Sequence, residues 1–163
     1  MRVTLLTGSN APDREAILHR TAALLAERVG PIVSRSRIYI SAAWGFSSEE
    51  PFANQALQLE TSLTPIEVLD AALEVEQTVG RDRAQEAREK ELSGERYASR
   101  VVDVDVMFCD DEVICLPRLQ VPHPLLHERE FALEPLCEIM ADYRHPQLGR
   151  SLKDIYFELK EKR

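Results

Sequence analysis

Hydrophobic and polar positions along the chain fall into alternating stretches and stretches of helical spacing. From Arg2 to Thr7 they alternate into the turn cluster Gly8-Ser9-Asn10, the pattern of a first strand. Asp13 to Val29 places Ile17, Leu18, Leu24 and Leu25 at helical spacing, and Gly30-Pro31 closes that helix. Ile32 to Ser41 reads as a second strand and Phe52 to Thr61 as a third, with Ala42 to Pro51 a loop between them.

Thr64-Pro65-Ile66-Glu67 is a helix start: Thr64 is the cap, the proline takes the first helical position, and Glu67 reaches back as a capping box. Ile66, Leu69 and Leu73 mark its buried face, and Gly80 ends it. Arg81 to Arg100 reads as a mobile loop with a helical portion at Ala84 to Leu92, a candidate lid. An apolar strand from Val101 to Phe108 follows, then a turn at Asp110-Asp111 and a short strand around Val113 to Leu116. Pro122-His123-Pro124 leads into a helical stretch interrupted by Pro135. Strands in pairs with two long helices between them imply an α+β fold, an antiparallel sheet covered on one side by helices.

Asp103-Val104-Asp105 lies within the apolar strand. Side chains alternate along a strand, so both carboxylates point to one face with Cα atoms about 6.5 Å apart, while Val102, Val104 and Val106 face the other way. Aspartate is depleted in strands, and two like charges this close either raise a pKa or call in a cation. Oxygen-only ligands suit a hard ion such as Mg²⁺, which keeps several waters and is shared with substrate phosphates. The alternative is a solvent-facing strand with two ordinary aspartates.

Charge changes that balance. The chain is at −8, yet Arg81 to Arg100 holds Arg81, Arg83, Arg88, Lys90, Arg96 and Arg100 against five acidic residues and is locally +1. Arginine forks match phosphate oxygens bidentately, so arginines beside a metal-binding Asp pair imply a site for a polyphosphate with its metal. A solvated charged loop is the competing reading.

The chain has 163 residues and 44% hydrophobic content, as expected of one domain with a sizeable core. Its pI near 5.1 argues against a nucleic-acid partner, which needs a basic face. The amino terminus reads as a strand and not a signal peptide, and no apolar run approaches a membrane span. Cys109, Cys115 and Cys137 are odd in number and lack CxxC spacing, pointing to a reducing compartment, the cytoplasm, and to cysteines acting as small core residues.

The chain has no GxxxxGK[ST], no GxGxxG and no kinase signature. In order it carries a strand ending TGSN, SxxYxSxxWG from Ser36, PFANQALQLET, GRDR from Gly80, RYASRVVDVDVMF and VPHPLLHEREFALEPL. Together these segments resemble the 6-hydroxymethyl-7,8-dihydropterin pyrophosphokinase family of folate biosynthesis over nearly the whole chain. The resemblance implies a ferredoxin-like α+β fold with mobile catalytic loops. It implies transfer of the diphosphate of ATP to the hydroxymethyl group of the pterin, with two Mg²⁺ and release of AMP.

By the same resemblance Asp103 and Asp105 match the metal-binding pair, and Arg83, Arg96 and Arg100 match arginines of the catalytic loop. Glu76 and Arg81 match positions near the nucleotide, His123 and Arg129 its phosphate contacts, and Arg118 a position near the base. Phe52 and Phe131 match the aromatic pair enclosing the pterin, Asn54 the amide that reads its edge, and Ser41 the hydroxyl residue of that pocket. Ala42 follows in the same segment, Trp44-Gly45 falls where the family has an apolar residue before glycine, and Tyr97 takes the place of a loop tryptophan that would cover the pterin. Ser41-Ala42 departs from the common Thr-Pro, Tyr97-Ala98-Ser99 from Trp-Gly-Pro, and Pro124 from an aromatic or similar residue. The loop from Arg83 to Arg100 is longer than usual. No obligate protein partner is implied.

On spacing alone Phe52 and Phe131 would be core residues, and Gly8-Ser9-Asn10 only a turn. His123 with His127 lacks the glutamate of HExxH, which disfavours zinc. A dehalogenase-like phosphatase also uses Asp-x-Asp after a strand, but its alternating strands and helices are missing here. A non-catalytic nucleotide-binding module is the remaining alternative, although both aspartates, the arginines and the Phe pair are all present.

Overall fold

The computed structural model of the chain describes residues 1–41, 51–90 and 101–162, with 81–90 described as backbone. Strands β1 (Arg2–Ser9), β2 (Ile32–Arg35), β3 (Tyr39–Ser41), β4 (Phe52–Glu60) and β5 (Asp103–Cys109) form one antiparallel sheet in the order β2-β4-β1-β5, with β3 also on β4. A two-stranded ribbon pairs β6 (Ile114–Cys115) with β7 (Gln120–Val121). The helices are α1 (Arg14–Arg28), α2 (Pro65–Lys90), α3 (Glu130–Met140) and α4 (Leu152–Glu161), with a 3₁₀ turn at Leu126–Glu128.

Helices cover both faces of the sheet, not the one face the strand pairing implied. On one side Leu18, Leu25, Val68 and Val75 of α1 and α2 bury Val3, Leu5, Leu57, Val104 and Val106. On the other, Leu133 and Leu136 of α3 with Leu152 and Ile155 of α4 bury Leu6, Ala56, Met107 and Phe108. A strand covered on both sides loses its solvent face, and every β1 residue from Val3 to Ser9 is buried.

Three boundaries depart from the sequence pattern. The predicted strand Ile32 to Ser41 is split into β2 and β3. Ser36 donates its N–H to the Ala56 carbonyl (2.9 Å) and accepts the Ala56 N–H on its hydroxyl (2.9 Å), so a side chain replaces a carbonyl in the ladder. Helix α2 does not end at Gly80. It starts with the predicted reciprocal cap between Thr64 and Glu67 and runs on to Lys90, because Arg, Ala, Gln, Glu and Lys are good helix formers that outweigh one glycine. Part of the predicted loop, including Arg81, Arg83, Arg88 and Lys90, is therefore helix.

Helix α3 likewise continues through Pro135 rather than being interrupted. The proline has no N–H to give the Phe131 carbonyl, and its own ring is buried in the core. Gly30 closes α1 as expected: at φ 152° it lets the chain pass so close to Glu60 that a Cβ would stand 1.9 Å from that carbonyl oxygen. Asp110 turns the chain after β5 at φ 50°, accepting the Arg2 N–H on its side chain. Of the cysteines, Cys109 is buried and Cys137 half-buried, both with thiols pushed up to about 11 by burial, but Cys115 is exposed and not a core residue.

Candidate active site

Sheet register assembles the site. Tyr39 pairs with Asn54, Asn54 with Gly8, and Gly8 with Asp103, so one row crosses β3, β4, β1 and β5 on the α3/α4 face. Neighbouring strands lie about 4.8 Å apart, which sets Asn54 and Asp103 roughly 10 Å apart across Gly8. Two residue pairs further along, Leu6 stands beside Asp105. Val102, Val104 and Val106 point into the core under α1 and α2, leaving both carboxylates half-buried on the opposite face.

Gly8 is the floor between them. A Cβ there would stand 2.6 Å from Nδ2 of Asn54, whose amide donates to the Thr7 carbonyl at 3.3 Å. The site needs a residue without a side chain at this position, and the turn cluster of the sequence did not reveal it. A glycine in a strand interior is the signal that was there to read.

Above this row lies a cleft of about 930 Å³ lined by Ser41, Phe52, Asn54, Asp103, Asp105, Arg129 and Phe131 among others. Ser41 is the direct cross-strand neighbour of Phe52. Arg129, which precedes α3, holds its guanidinium 5.7 Å from the centre of the Phe131 ring. Glu128, Glu130, Glu134, Leu159 and Lys162 also line the cleft, none of them anticipated from the sequence.

β3 is fixed to α3 by a triangle: Tyr39 donates its hydroxyl to Glu138 at 2.6 Å, and Arg37 donates Nε to Glu138 (3.2 Å) and Nη2 to the Tyr39 hydroxyl (3.2 Å). The donated Tyr39 hydroxyl, with Arg37, holds the Glu138 carboxyl below its usual range.

His123 sits close enough to Asp105 and Arg129 to feel both charges. Burial lowers its pKa, Asp105 opposes that shift, and Arg129 adds to it. Its Nδ1 accepts the Leu125 N–H at 3.3 Å, so the neutral ring carries its proton on Nε2 and is a donor there. Hydrogen-bond donors and a cation next to a carboxylate pair fit a phosphate chain accompanied by a metal.

Among the described residues, no three or more His, Cys, Asp or Glu side chains gather as a metal cage. Two carboxylates opening on a cleft are a donor set for a hard ion that keeps waters and shares substrate oxygens, and Asp103 and Asp105 fit Mg²⁺ in that way.

Two further expected site residues are not among those lining the cleft. Arg118 is ion-paired on the surface with Asp70 of α2, and Glu76 of α2 accepts the Val104 main-chain N–H at 2.7 Å. Arg81 and Arg83 are on the helical backbone of α2. Ala42, Trp44, Arg96, Tyr97 and Arg100 lie outside the described residues.

An antiparallel sheet between two helix pairs, with two aspartates and two phenylalanines lining one cleft, is an α+β architecture with a polar and aromatic pocket. The model of the 7,8-dihydro-6-hydroxymethylpterin-pyrophosphokinase (HPPK) family matches residues 4–141, and the chain belongs to that family. A 2-amino-4-hydroxy-6-hydroxymethyldihydropteridine pyrophosphokinase of Aquifex aeolicus is 37% identical over 152 residues, covering 93% of this chain and 88% of its own. The Bacillus subtilis protein of the same name is 35% identical, covering 81% of this chain and 74% of its own. The wild-type HPPK-DHPS structure of Plasmodium falciparum superposes with a TM-score of 0.72 at 14% identity, over 99% of this chain and 46% of that one. That likeness shows the fold, and this chain spans less than half of the solved protein. The all-antiparallel pairing of the described main sheet removes the dehalogenase-like alternative.

Proposed function

We propose that the chain transfers the diphosphate of ATP to 6-hydroxymethyl-7,8-dihydropterin, giving the pterin diphosphate and AMP in folate biosynthesis. The observation that carries this reading is the shared cleft, lined by Asp103 and Asp105 together with Phe52, Asn54 and Phe131. An aromatic-walled slot with one buried amide suits a flat, hydrogen-bonding ring. The acidic pair suits metal-bound phosphates.

In the reaction the hydroxymethyl oxygen bonds to the β-phosphorus of ATP, the bond from that phosphorus to the α–β bridging oxygen breaks, and AMP leaves. The hydroxyl proton passes to solvent or a neighbouring base. Asp103 and Asp105 would hold two Mg²⁺, which supply Lewis-acid neutralisation of the phosphate oxygens. Phe52, Phe131, Asn54 and Ser41 orient the pterin so that its hydroxymethyl group faces the acidic pair. His123 donates Nε2–H to a phosphate oxygen and Arg129 adds a fixed positive charge. Much of the rate would come from such positioning and charge complementarity.

Arg81, Arg83, Arg96 and Arg100 neutralise the polyphosphate in this reading, Tyr97 covers the pterin, and Ala42 and Trp44 belong to the pterin-binding residues. Arg118 reaches the base by leaving Asp70. Residues 1–163 act as one domain in the cytoplasm with small-molecule substrates alone, needing neither nucleic acid, membrane nor an obligate protein partner. Among the described residues no helix is long and apolar enough to cross a membrane.

Asp105→Ala tests the assignment. The half-buried carboxylate lines the cleft, so the thermal midpoint should move by no more than about 3 °C while turnover falls at least ~10³-fold. Turnover within tenfold of wild type would overturn the metal role.

A further inference from the structure

We propose that Glu76 and Ser9 are positioning residues that clamp the root of β5 from outside the cleft and so fix the aim of Asp103 and Asp105. Among the described residues β5 is an edge strand of the main sheet, paired with β1 on one side, while on the other the His123 N–H donates to the Met107 carbonyl at 3.2 Å. Asp103 faces Gly8 and Asp105 faces Leu6 on that partner. The N–H of Val104, midway between the two aspartates, is taken by the Glu76 carboxylate of α2 at 2.7 Å. A carboxylate acceptor makes this a charge-assisted bond, roughly twice as strong as a neutral one.

Three residues upstream of Val104 a second bond holds the segment that leads into β5. The Ser9 hydroxyl donates to the Val101 carbonyl at 2.6 Å and accepts the Ala11 N–H at 3.2 Å. Ser9 is 2% exposed, so no water competes for it. The two bonds bracket Val102 and Asp103, and neither the Ser9 nor the Glu76 side chain is among those that line the cleft. Strand and helix are thereby tied just before the basic end of α2, with Arg81 and Arg83 five and seven residues beyond Glu76.

A main-chain clamp suits this task. Carboxylates that share ions need a fixed separation, and an edge strand whose outward N–H met only water would fray there. Partners that orient metal ligands without touching the metal typically contribute about 10- to 100-fold in affinity or activity. Glu76 serves the nucleotide, in this view, through the strand and not by contact.

The proposal rests on Asp103 and Asp105 as the metal holders, and the test separates the two. Glu76→Gln keeps an oxygen acceptor for Val104 while removing the charge; Glu76→Ala removes both. The first readout is hydrogen exchange of the Val104 amide, which needs neither metal nor activity. Protection should be strong in wild type, retained in Glu76→Gln and lost in Glu76→Ala, with Ser9→Ala loosening the stretch at Val101 and Val102. The second readout is Mn²⁺ binding with a non-hydrolysable ATP analogue, followed by electron paramagnetic resonance. Glu76→Ala should weaken Mn²⁺ at least ~10-fold and Glu76→Gln recover most of that loss, with pterin affinity unchanged in both. Val104 protection that survives Glu76→Ala would overturn the clamp. So would equal damage from Gln and Ala expressed only as a raised KM for ATP, the signature of direct charge contact. Wild-type protein that binds no Mn²⁺ would instead sink the metal assignment, leaving the clamp to be decided by the amide.

Discussion

At the scale of single residues the site depends on what Gly8 lacks. A methyl group there would stand 2.6 Å from the Asn54 amide and displace it from the Thr7 carbonyl. Gly8→Ala should therefore raise KM for the pterin about tenfold, the worth of one hydrogen bond, with kcat less affected. An unchanged pterin KM would remove Asn54 from the reading. His145 has a different consequence. It is 3% exposed, stacks edge-on to Phe108 at 5.8 Å, and accepts the Gln147 and Leu148 N–H groups on Nδ1. Burial, with His127 nearby, lowers its pKa below 6.5, so the unfolded chain takes up a proton first as pH falls. The stability it allows is complete above pH 6.5 and declines from there down to its lower native pKa, then levels off. His123, lowered chiefly by burial, contributes in the same window. Urea midpoints at pH 7.5 and 5.5 should differ in wild type and differ less in His145→Asn, which keeps an acceptor but cannot titrate. An identical difference in both would contradict the assignment.

At the scale of elements, the paired aspartates announced a strand because Val102, Val104 and Val106 alternate with them, and the Thr64–Glu67 cap announced α2. Both signals are local. The failures came where distant contacts decide. Ser36 breaks the β2–β3 line where Ala56 lies opposite it, and Pro135 sits buried inside α3 between Leu133 and Leu136, which pack in the core. The turn at Asp110 was legible, whereas α4 was passed over although Ser151 caps it through the Asp154 N–H and Leu152, Ile155 and Leu159 share a helical spacing. Gly80 misled because its cost inside a helix is only about 1 kcal/mol. A Cβ at Gly80 meets nothing within 4 Å, so Gly80→Ala should stabilise the protein by roughly 0.5–1 kcal/mol, raising the thermal midpoint by about 1–4 °C. A fall in midpoint would mean that α2 does not pass straight through this residue.

At the scale of the whole molecule, one sheet faces two ways and divides its duties. The face under α1 and α2 is mainly apolar, with Thr7, Ser9 and Gln55 its buried polar residues, and anchors the valines behind the aspartates. The face under α3 and α4 is apolar at Leu6, Met107 and Phe108, then opens into the cleft where Gly8, Asn54 and the two carboxylates stand in register. That second layer was not foreseen, since pairing of strands shows which elements are neighbours and not which face a later helix covers. The motifs that carried the family resemblance survived because they are short and bear chemistry: Asp-x-Asp, the Phe-Ala-Asn strand start and the Val-Pro-His turn. What they could not convey was how Glu76 and Arg118 are spent, one on a strand and one on a surface ion pair.

The central claim is the transfer of a diphosphate, and AMP is its most direct witness. Protein, ATP and Mg²⁺ should be incubated with and without 6-hydroxymethyl-7,8-dihydropterin, AMP quantified, and the pterin product weighed by mass spectrometry. AMP should form only when the pterin is present, and the pterin should gain one diphosphate. Both ligands bound with no AMP formed, or ADP and a singly phosphorylated pterin in its place, would contradict the account.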